Sequence, residues 1–391
     1  MKIISSQSHA PSSRQRIDEL LAPLPASNNP SLVVAWANIE CLDQPLADAL
    51  LNKTPNVLLA SSCRGAMTQE GVSTGAGLLA FYDTKGAYGI GSYPLGDDAK
   101  QAGYKALEGA IEQAGQSWQS PDVIWCSMPP GQEEAVIEGM RALVGDATPI
   151  MGGSTGDNSI SGDWLQLSQG QLVGDHVVVV AMYPSQGVGV SFSSGYTPTE
   201  ASAVVTKAEG REVIELDGRP AAEVYKSWVP GLIDEVTDDR SLLALTTYHS
   251  IGRVVAKTDG IDQYVLSHLA NITSQGGFTT LSKIEEGERI YLMSGSRDSL
   301  VMRGAKVMEN AEQLLPPDIP PAGALMVYCA GCMLALDEDI HQVVTAINQS
   351  FDSPYLGGFT FGEQGCFSDR SNRHGNLMIS AVVFGGKYGN T

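Results

Sequence analysis

Basic residues are scarce in this chain. Its 391 residues hold 24 Lys+Arg against 44 Asp+Glu, a formal net charge of −20. Such a surface repels phosphate backbones and anionic lipid, and no basic stripe interrupts it, which argues against a nucleic-acid binder. Cysteine is sparse too: six residues, unevenly spaced, are not the framework of a secreted disulfide protein. No apolar run reaches the roughly 18 residues that a spanning helix needs. The opening "MKIISSQSHAPSSRQRIDELLAPLPASNNP" has neither an apolar signal core nor a cleavage pattern. A cytoplasmic protein with reduced thiols is therefore expected. A Walker A sequence is missing, and "GAG" at Gly75 to Gly77 lacks the third glycine and acidic partner of a dinucleotide loop.

What is present is the composition of a packed globular protein, 43% hydrophobic and 17% charged. The length predicts two domains. One pattern recurs three times: an apolar strand, a helix, a second apolar strand ending in Gly or Ser, then further strands. The first copy runs "SLVVAWANIE", "PLADALLNKT" and "PNVLLASSCRGAMTQEG" from Ser31. The second runs "PDVIWCSMPPG", "EEAVIEGMRALVG" and "TPIMGGSTGDNSISG" from Pro121. The third runs "ALMVYCAGC", "DEDIHQVVTAINQSF" and "SPYLGGFTFGEQGCF" from Ala324. The opening strands are continuous apolar runs, as in strands covered on both faces. The helices carry apolar residues at helical spacing, as at Ile340, Val343, Val344 and Ile347.

Between the second and third copies the character changes. "GVGVSFSSGYTPT" and "ASAVVTKAEGREVIELDGRP" predict strands with turns at Glu209-Gly210 and Asp217-Gly218. "AAEVYKSWVPGLI" predicts a helix ended near Pro230, and "SLLALTTYHS", "YVLSHLANIT", "GFTTLSKI" and "ERIYLMSGS" predict strands. The fold class is α/β (α+β), in two domains of mixed sheets with flanking helices. The divisions expected are a tail over 1–30, a first domain over 31–226 and a second over 227–385.

Several stretches could carry chemistry. "GGSTG", Gly152 to Gly156, matches the G-x-S-x-G of a hydrolase nucleophile elbow, but the "DNSISGDW" after it has no helical period. A tight turn lining a cavity is the plainer reading of Gly152, Gly153 and Ser154. Cys329 and Cys332 share one loop, Cys366 follows the next strand of that copy, and His374 comes eight residues later. Both loops emerge at strand C-terminal ends, the usual ligand edge of a parallel sheet. Three thiols and an imidazole there suit zinc or thiol redox chemistry, although the spacing is not an established zinc pattern and buried cysteines are often plain packing. His249, His268 and His374 fall near strand ends.

The motifs also combine into a resemblance. "PIMGGSTGDN" with "GDHVVVVAMY" resembles the FIST N-terminal domain, and "ALMVYCAGC", "YLGGFTFGEQG" and "HGNLMISAVVF" resemble the FIST C-terminal domain. The resemblance implies a sensory protein that binds a small ligand and passes the signal to a partner histidine kinase or a cyclic-di-GMP enzyme, and it leaves room for a homo-oligomer. No nucleophile, base and orienter set can be assembled from adjacent motifs, so a sensor and not an enzyme is expected. It implies that Gly152, Gly153, Ser154, Cys329, Cys332, Gly358 and Glu363 stand on ligand-pocket loops. Stand-alone chains of this length also resemble the haem-containing, nitric-oxide-sensing subgroup. A non-covalent haem is then expected on His374 first, with His249 and His268 next. Two departures from the family pattern bear on the ligand: Cys332 stands where many members carry arginine, and His374-Gly375-Asn376-Leu377 replaces the usual His-Asn-Gln-Thr. The rival reading is a thiol- or zinc-dependent enzyme on Cys329, Cys332, Cys366 and His374.

Overall fold

The computed structural model describes residues 1–234, 241–258 and 260–386. Three of its sheets share one strand order. In the first, Lys2–Ser8, Ala76–Tyr82, Leu32–Asn38 and Val57–Ser62 lie side by side, followed by the hairpin Gln166–Ser168 and Gln171–Val173. In the second the order is Ala87–Pro94, His176–Tyr183, Val123–Met128 and Ile150–Ser154, then the hairpin Glu363–Cys366 and Asn372–Gly375. In the third it is Val188–Ser194, Met378–Gly385, Pro321–Cys329 and Tyr355–Thr360, then Ala66–Thr68 and Gly71–Ser73. Each sheet has one parallel pair at its middle: Leu32–Asn38 with Val57–Ser62, Val123–Met128 with Ile150–Ser154, and Pro321–Cys329 with Tyr355–Thr360.

The order of elements within each unit is also the same. A strand, a helix, a strand, a second helix and a strand lead into the hairpin and a closing strand. The helices are Ser13–Leu21 and Gln44–Leu51, then Ala99–Gln113 and Glu133–Val144, then Arg297–Gln313 and Ile340–Ser350. The repeat read in the sequence is therefore real, and each copy is longer than it looked. The first 30 residues, expected as a tail, supply the first unit's edge strand and outer helix. That strand pairs with Ala76–Tyr82 throughout its length. The helix Ala99–Gln113, absent from the sequence reading, fills the same place in the second unit.

Each unit donates its hairpin to a neighbour. The first unit's hairpin pairs with Tyr355–Thr360, the second's with Val57–Ser62 and the third's with Ile150–Ser154. The exchange is cyclic and closes the three units into a ring. Inside it the inner faces of all three sheets form one core that includes Leu32, Trp36, Leu58, Trp125, Val180, Val327 and Phe384. The outer faces bury the helices in three further cores. This double coverage is why strands such as Val123–Met128 are buried at every residue and read as unbroken apolar runs.

An insert, residues 197–294, follows the third unit's first strand and carries the fourth sheet with the helix Ala221–Trp228. It has its own core around Val205, Leu216, Tyr225, Ile251 and Phe278. Its turns fall where expected, with Gly210 at φ 59° and Gly218 at φ 74°. The boundary expected at about 226 lies inside this insert. One strand expectation fails: "SLLALTTYHS" holds the short helix Leu243–Thr246. Its Thr246 and Thr247 hydroxyls donate to the carbonyls of Leu242 and Leu243, four residues back. That back-bonding lets the two hydroxyls be satisfied within a helical turn, and a short apolar run does not distinguish helix from strand.

Candidate functional site

The C-terminal ends of the parallel strands meet where the three units converge. A hydroxyl stands at the equivalent register in each: Ser62 opposite Asn38, Ser154 opposite Met128, Thr360 opposite Cys329. Their backbones bond to one another. Cys63 N donates to Phe359 O at 2.9 Å, Ser154 N to Gly362 O at 2.7 Å and Phe361 N to Ser154 O at 3.2 Å. The glycine- and serine-rich loops thus approach each other closely. A Cβ on Gly152, at φ +140°, would lie 2.1 Å from Cys126 O, and one on Gly358 would lie 2.6 Å from the Trp36 ring. Gly152, Gly153 and Gly358 are packing positions beneath the site.

A buried polar layer covers this junction. Glu133, 1% exposed in its side chain, opens the helix Glu133–Val144 and accepts from Ser154 Oγ at 2.8 Å and Gly131 N at 2.9 Å. Arg211 reaches over from the insert to Glu133 and Glu134, 2.7 Å from each. Burial pushes the Glu133 carboxyl up, but the facing His374 imidazole and Arg211 guanidinium outweigh it and hold it below its ordinary range. Gln364 Nε2 lies 3.2 Å from Ser154 Oγ and 3.3 Å from His374 Nδ1. Glu363 accepts from Thr360 Oγ1 at 2.9 Å and Met378 N at 3.0 Å, and burial beside the Cys329 thiol raises its carboxyl well above the usual value. Ser154 is bonded to a carboxylate and an amide, and no helix follows it, so the nucleophile-elbow arrangement is not formed.

Above this layer lies a cleft of about 600 Å³ between the ring and the insert. Its walls are mostly apolar: Ile160, Trp164, Leu243, Tyr248, Leu334 and Phe361. Polar groups from both bodies converge in it, among them Glu133, Arg211, His268, Cys329, Thr360 and Asn376. The cleft opens at strand C-terminal ends, the edge where α/β sheets bind ligands. A larger groove, about 760 Å³, runs along the strand Val188–Ser194 past Cys366 and Arg303. We place the site in the smaller cleft, because its polar groups are buried and converge.

Of the expected pocket residues, Cys329 and His268 line the cleft, while Ser154 and Glu363 lie in the layer below. Cys332 packs in the outer core with its sulfur 3.8 Å from Tyr196 Oη. His374 is enclosed, with Nδ1 facing Gln364 and Nε2 3.3 Å from Leu281 O. His249 is half-buried at the end of a turn, outside the cleft lining. The zinc set does not assemble: Cys366 touches the ring core, and no group of three or more His, Cys, Asp or Glu is placed to hold a metal among the described residues. Burial, with the neighbouring Cys332 thiol, pushes the Cys329 thiol well above its ordinary value. Arg211 and Asn376 are cleft-lining residues that the sequence reading did not single out. Asn376 was flagged only as a departure from a motif, and nothing local marks Arg211.

Fold and site together define an α/β ring with a cleft roofed by an inserted sheet. The chain belongs to the FIST family: the FIST N domain matches residues 31–219 and the FIST C domain residues 221–366. FIST domains are ligand-sensing signalling domains. An uncharacterized protein of Methanocaldococcus jannaschii is 28% identical over 145 residues, which is 37% of this chain and 26% of that one. The chain thus spans about a quarter of that relative's length. Among solved structures, a cyanuric acid hydrolase from A. caulinodans is 12% identical with a TM-score of 0.30, covering 56% of this chain and 83% of its own. A second, described as evolutionary innovation by structural concatenation, is 9% identical with a TM-score of 0.36 and covers 98% of each chain. Likenesses this low do not bear on what the protein does.

Proposed function

We propose that this protein is a ligand-responsive signalling protein, not an enzyme, and that the cleft between ring and insert takes its small-molecule ligand. The observation that carries the reading is that the cleft walls come from two bodies with separate hydrophobic cores, bridged by the Arg211 ion pairs. A molecule filling the cleft touches both bodies, so occupancy changes how the insert sits on the ring. Signal output through a partner histidine kinase, a cyclic-di-GMP enzyme or a second copy of this chain rests on the family.

A haem would have to be held through His268 Nδ1, since His374 has both ring nitrogens engaged and lies below the cleft. Its two propionates would meet Arg211, the only Lys or Arg among the described residues lining the cleft, already paired with two carboxylates. A smaller neutral molecule suits these walls better. Nile red, a neutral apolar dye, tests the cleft: it is expected to brighten on binding, and Leu334→Trp is expected to remove most of that signal. Unchanged brightening in Leu334→Trp overturns the reading. In a parallel arm, haem reconstitution giving a sharp Soret band that His268→Ala abolishes would replace the neutral ligand with haem.

A further inference from the structure

Two polar atoms beside the cleft have no hydrogen-bond partner among the described residues. Asn376 is 1% exposed, follows the strand Asn372–Gly375 and lines the cleft. Its Oδ1 accepts from His268 N at 3.4 Å, which fixes the orientation of the amide, and its Nδ2 is unpaired. An amide N–H buried and unbonded is costly and calls for an acceptor. Beside it, His268 Nε2 lies 2.9 Å from Leu243 O. A carbonyl can only accept, so the ring carries its proton on Nε2 and Nδ1 keeps a lone pair. Burial pushes this imidazole down to about 4, which leaves it neutral at ordinary pH. Nδ1 has no hydrogen-bond partner among the described residues. The wall therefore offers one donor and one acceptor, on residues already joined by a hydrogen bond.

The rest of the cleft limits what can use them. Trp164 and Phe361 meet edge to face, centroids 6.4 Å apart at 87°, and both line the cleft, where an aromatic ligand ring can pack edge-to-face or offset against them. Arg211 is paired with two carboxylates, so among the described residues lining the cleft an anion finds no free guanidinium. Both oxygens of Glu133 are taken by Ser154, Gly131 and Arg211, so a cation finds no free carboxylate there.

We infer that the ligand is a flat, neutral molecule with a carbonyl oxygen next to an N–H, as in a lactam, imide or cyclic urea. The oxygen accepts from Asn376 Nδ2 and the N–H donates to His268 Nδ1. This rests on the cleft being the ligand site.

The test is calorimetric titration of the full chain with three probes. 2-Quinolinone has the N–H beside the carbonyl, N-methyl-2-quinolinone lacks the N–H, and quinoline-2-carboxylate is an anion. 2-Quinolinone is expected to bind, the N-methyl compound at least about tenfold more weakly, as for one lost buried hydrogen bond, and the anion not at all. Asn376→Leu and His268→Phe are each expected to weaken 2-quinolinone by about tenfold. Should either variant fail to fold, the probe series on the unaltered protein still decides. Equal binding of the two quinolinones, tighter binding of the anion, or no binding of 2-quinolinone overturns the inference. Leu334→Trp separates the two levels. If it abolishes binding while both quinolinones bind the unaltered protein alike, the ligand class falls and the cleft stands; if it changes nothing, the cleft reading falls.

Discussion

Glu133 and Arg211 face each other across the boundary between the ring and the insert, 2.7 Å apart. The carboxylate is almost fully buried at a helix start, and the guanidinium, 23% exposed in its side chain, arrives from the other body. Breaking a buried pair by removing one partner strands a charge, whereas removing both does not. Arg211→Met is therefore expected to lower unfolding free energy by about 3 kcal/mol, the lower part of the usual range because Arg211 is partly solvated. The double variant Glu133→Gln, Arg211→Met is expected to cost less than the sum of the two single changes. Urea unfolding of the four proteins gives the cycle. Strict additivity would mean that the pair does not join the two bodies.

Acid is expected to loosen the same boundary. Burial pushes the Glu134 carboxyl up, but His374, Arg211 and the Lys283 backbone N–H outweigh it and hold it at about 2, against 4.5 for a free glutamate. A carboxyl held low when folded stabilises the protein above its unfolded value, and that stability is lost as pH falls. The window here runs from about 4.5 down to about 2. Urea midpoints measured across it are expected to fall for the natural protein and to fall less for Glu134→Gln. Parallel curves would remove Glu134 from the acid response.

Thiol chemistry has little room. Cys41 is the one cysteine of intermediate burial and the other five are buried. Burial pushes Cys63 and Cys366 up to about 11 and raises Cys329 well above its ordinary value. Thiolate is the reactive form, so Ellman's reagent at pH 8 is expected to titrate one thiol promptly and the remaining five only after unfolding. Prompt reaction of Cys329 or Cys332 would revive the redox reading.

What the sequence disclosed follows from which forces are local. The strand–helix–strand pattern was legible because doubly covered strands must be apolar throughout, and because helices such as Ile340–Ser350 bury one face. The strand Val188–Ser194 was not assignable to the third unit, since the insert over 197–294 separates it from its partners. Nor could the hairpins be placed: Glu363–Cys366 looks continuous with Tyr355–Thr360, yet it pairs with Gly152 and Gly153 of another unit. Such pairings are decided by ring closure. For the same reason the enclosure of His374 was not legible: nothing in its neighbours reveals that Glu133 comes from another unit to face it. His268 could be seen as a candidate and Asn376 only as a departure from a motif, and only the fold brings them together.

The cyclic hairpin exchange makes a demanding prediction about the two halves of the chain. A fragment ending at residue 219, the limit of the FIST N domain, would contain the first two units but not the hairpin Glu363–Gly375 that completes the second sheet. Its own hairpin Ala66–Ser73 would have lost its partner strand Tyr355–Thr360, and Val188–Ser194 would have lost Met378–Gly385. The inner faces of Leu32–Asn38 and Val123–Met128 would be uncovered where Leu325, Val327, Leu356 and Val382 now pack. Each large apolar side chain uncovered forfeits about 1.5–3 kcal/mol, and several such losses exceed the 5–15 kcal/mol that usually holds a domain together. Residues 1–219 alone are therefore expected to aggregate or to lack near-ultraviolet circular dichroism and a cooperative melt. Coexpression of 1–234 with 241–391, cut between the described segments, is expected to restore a single melting transition, because both partners of every exchanged hairpin are then present. A sharp, independent melt of residues 1–219 would show that the ring is not the folding unit.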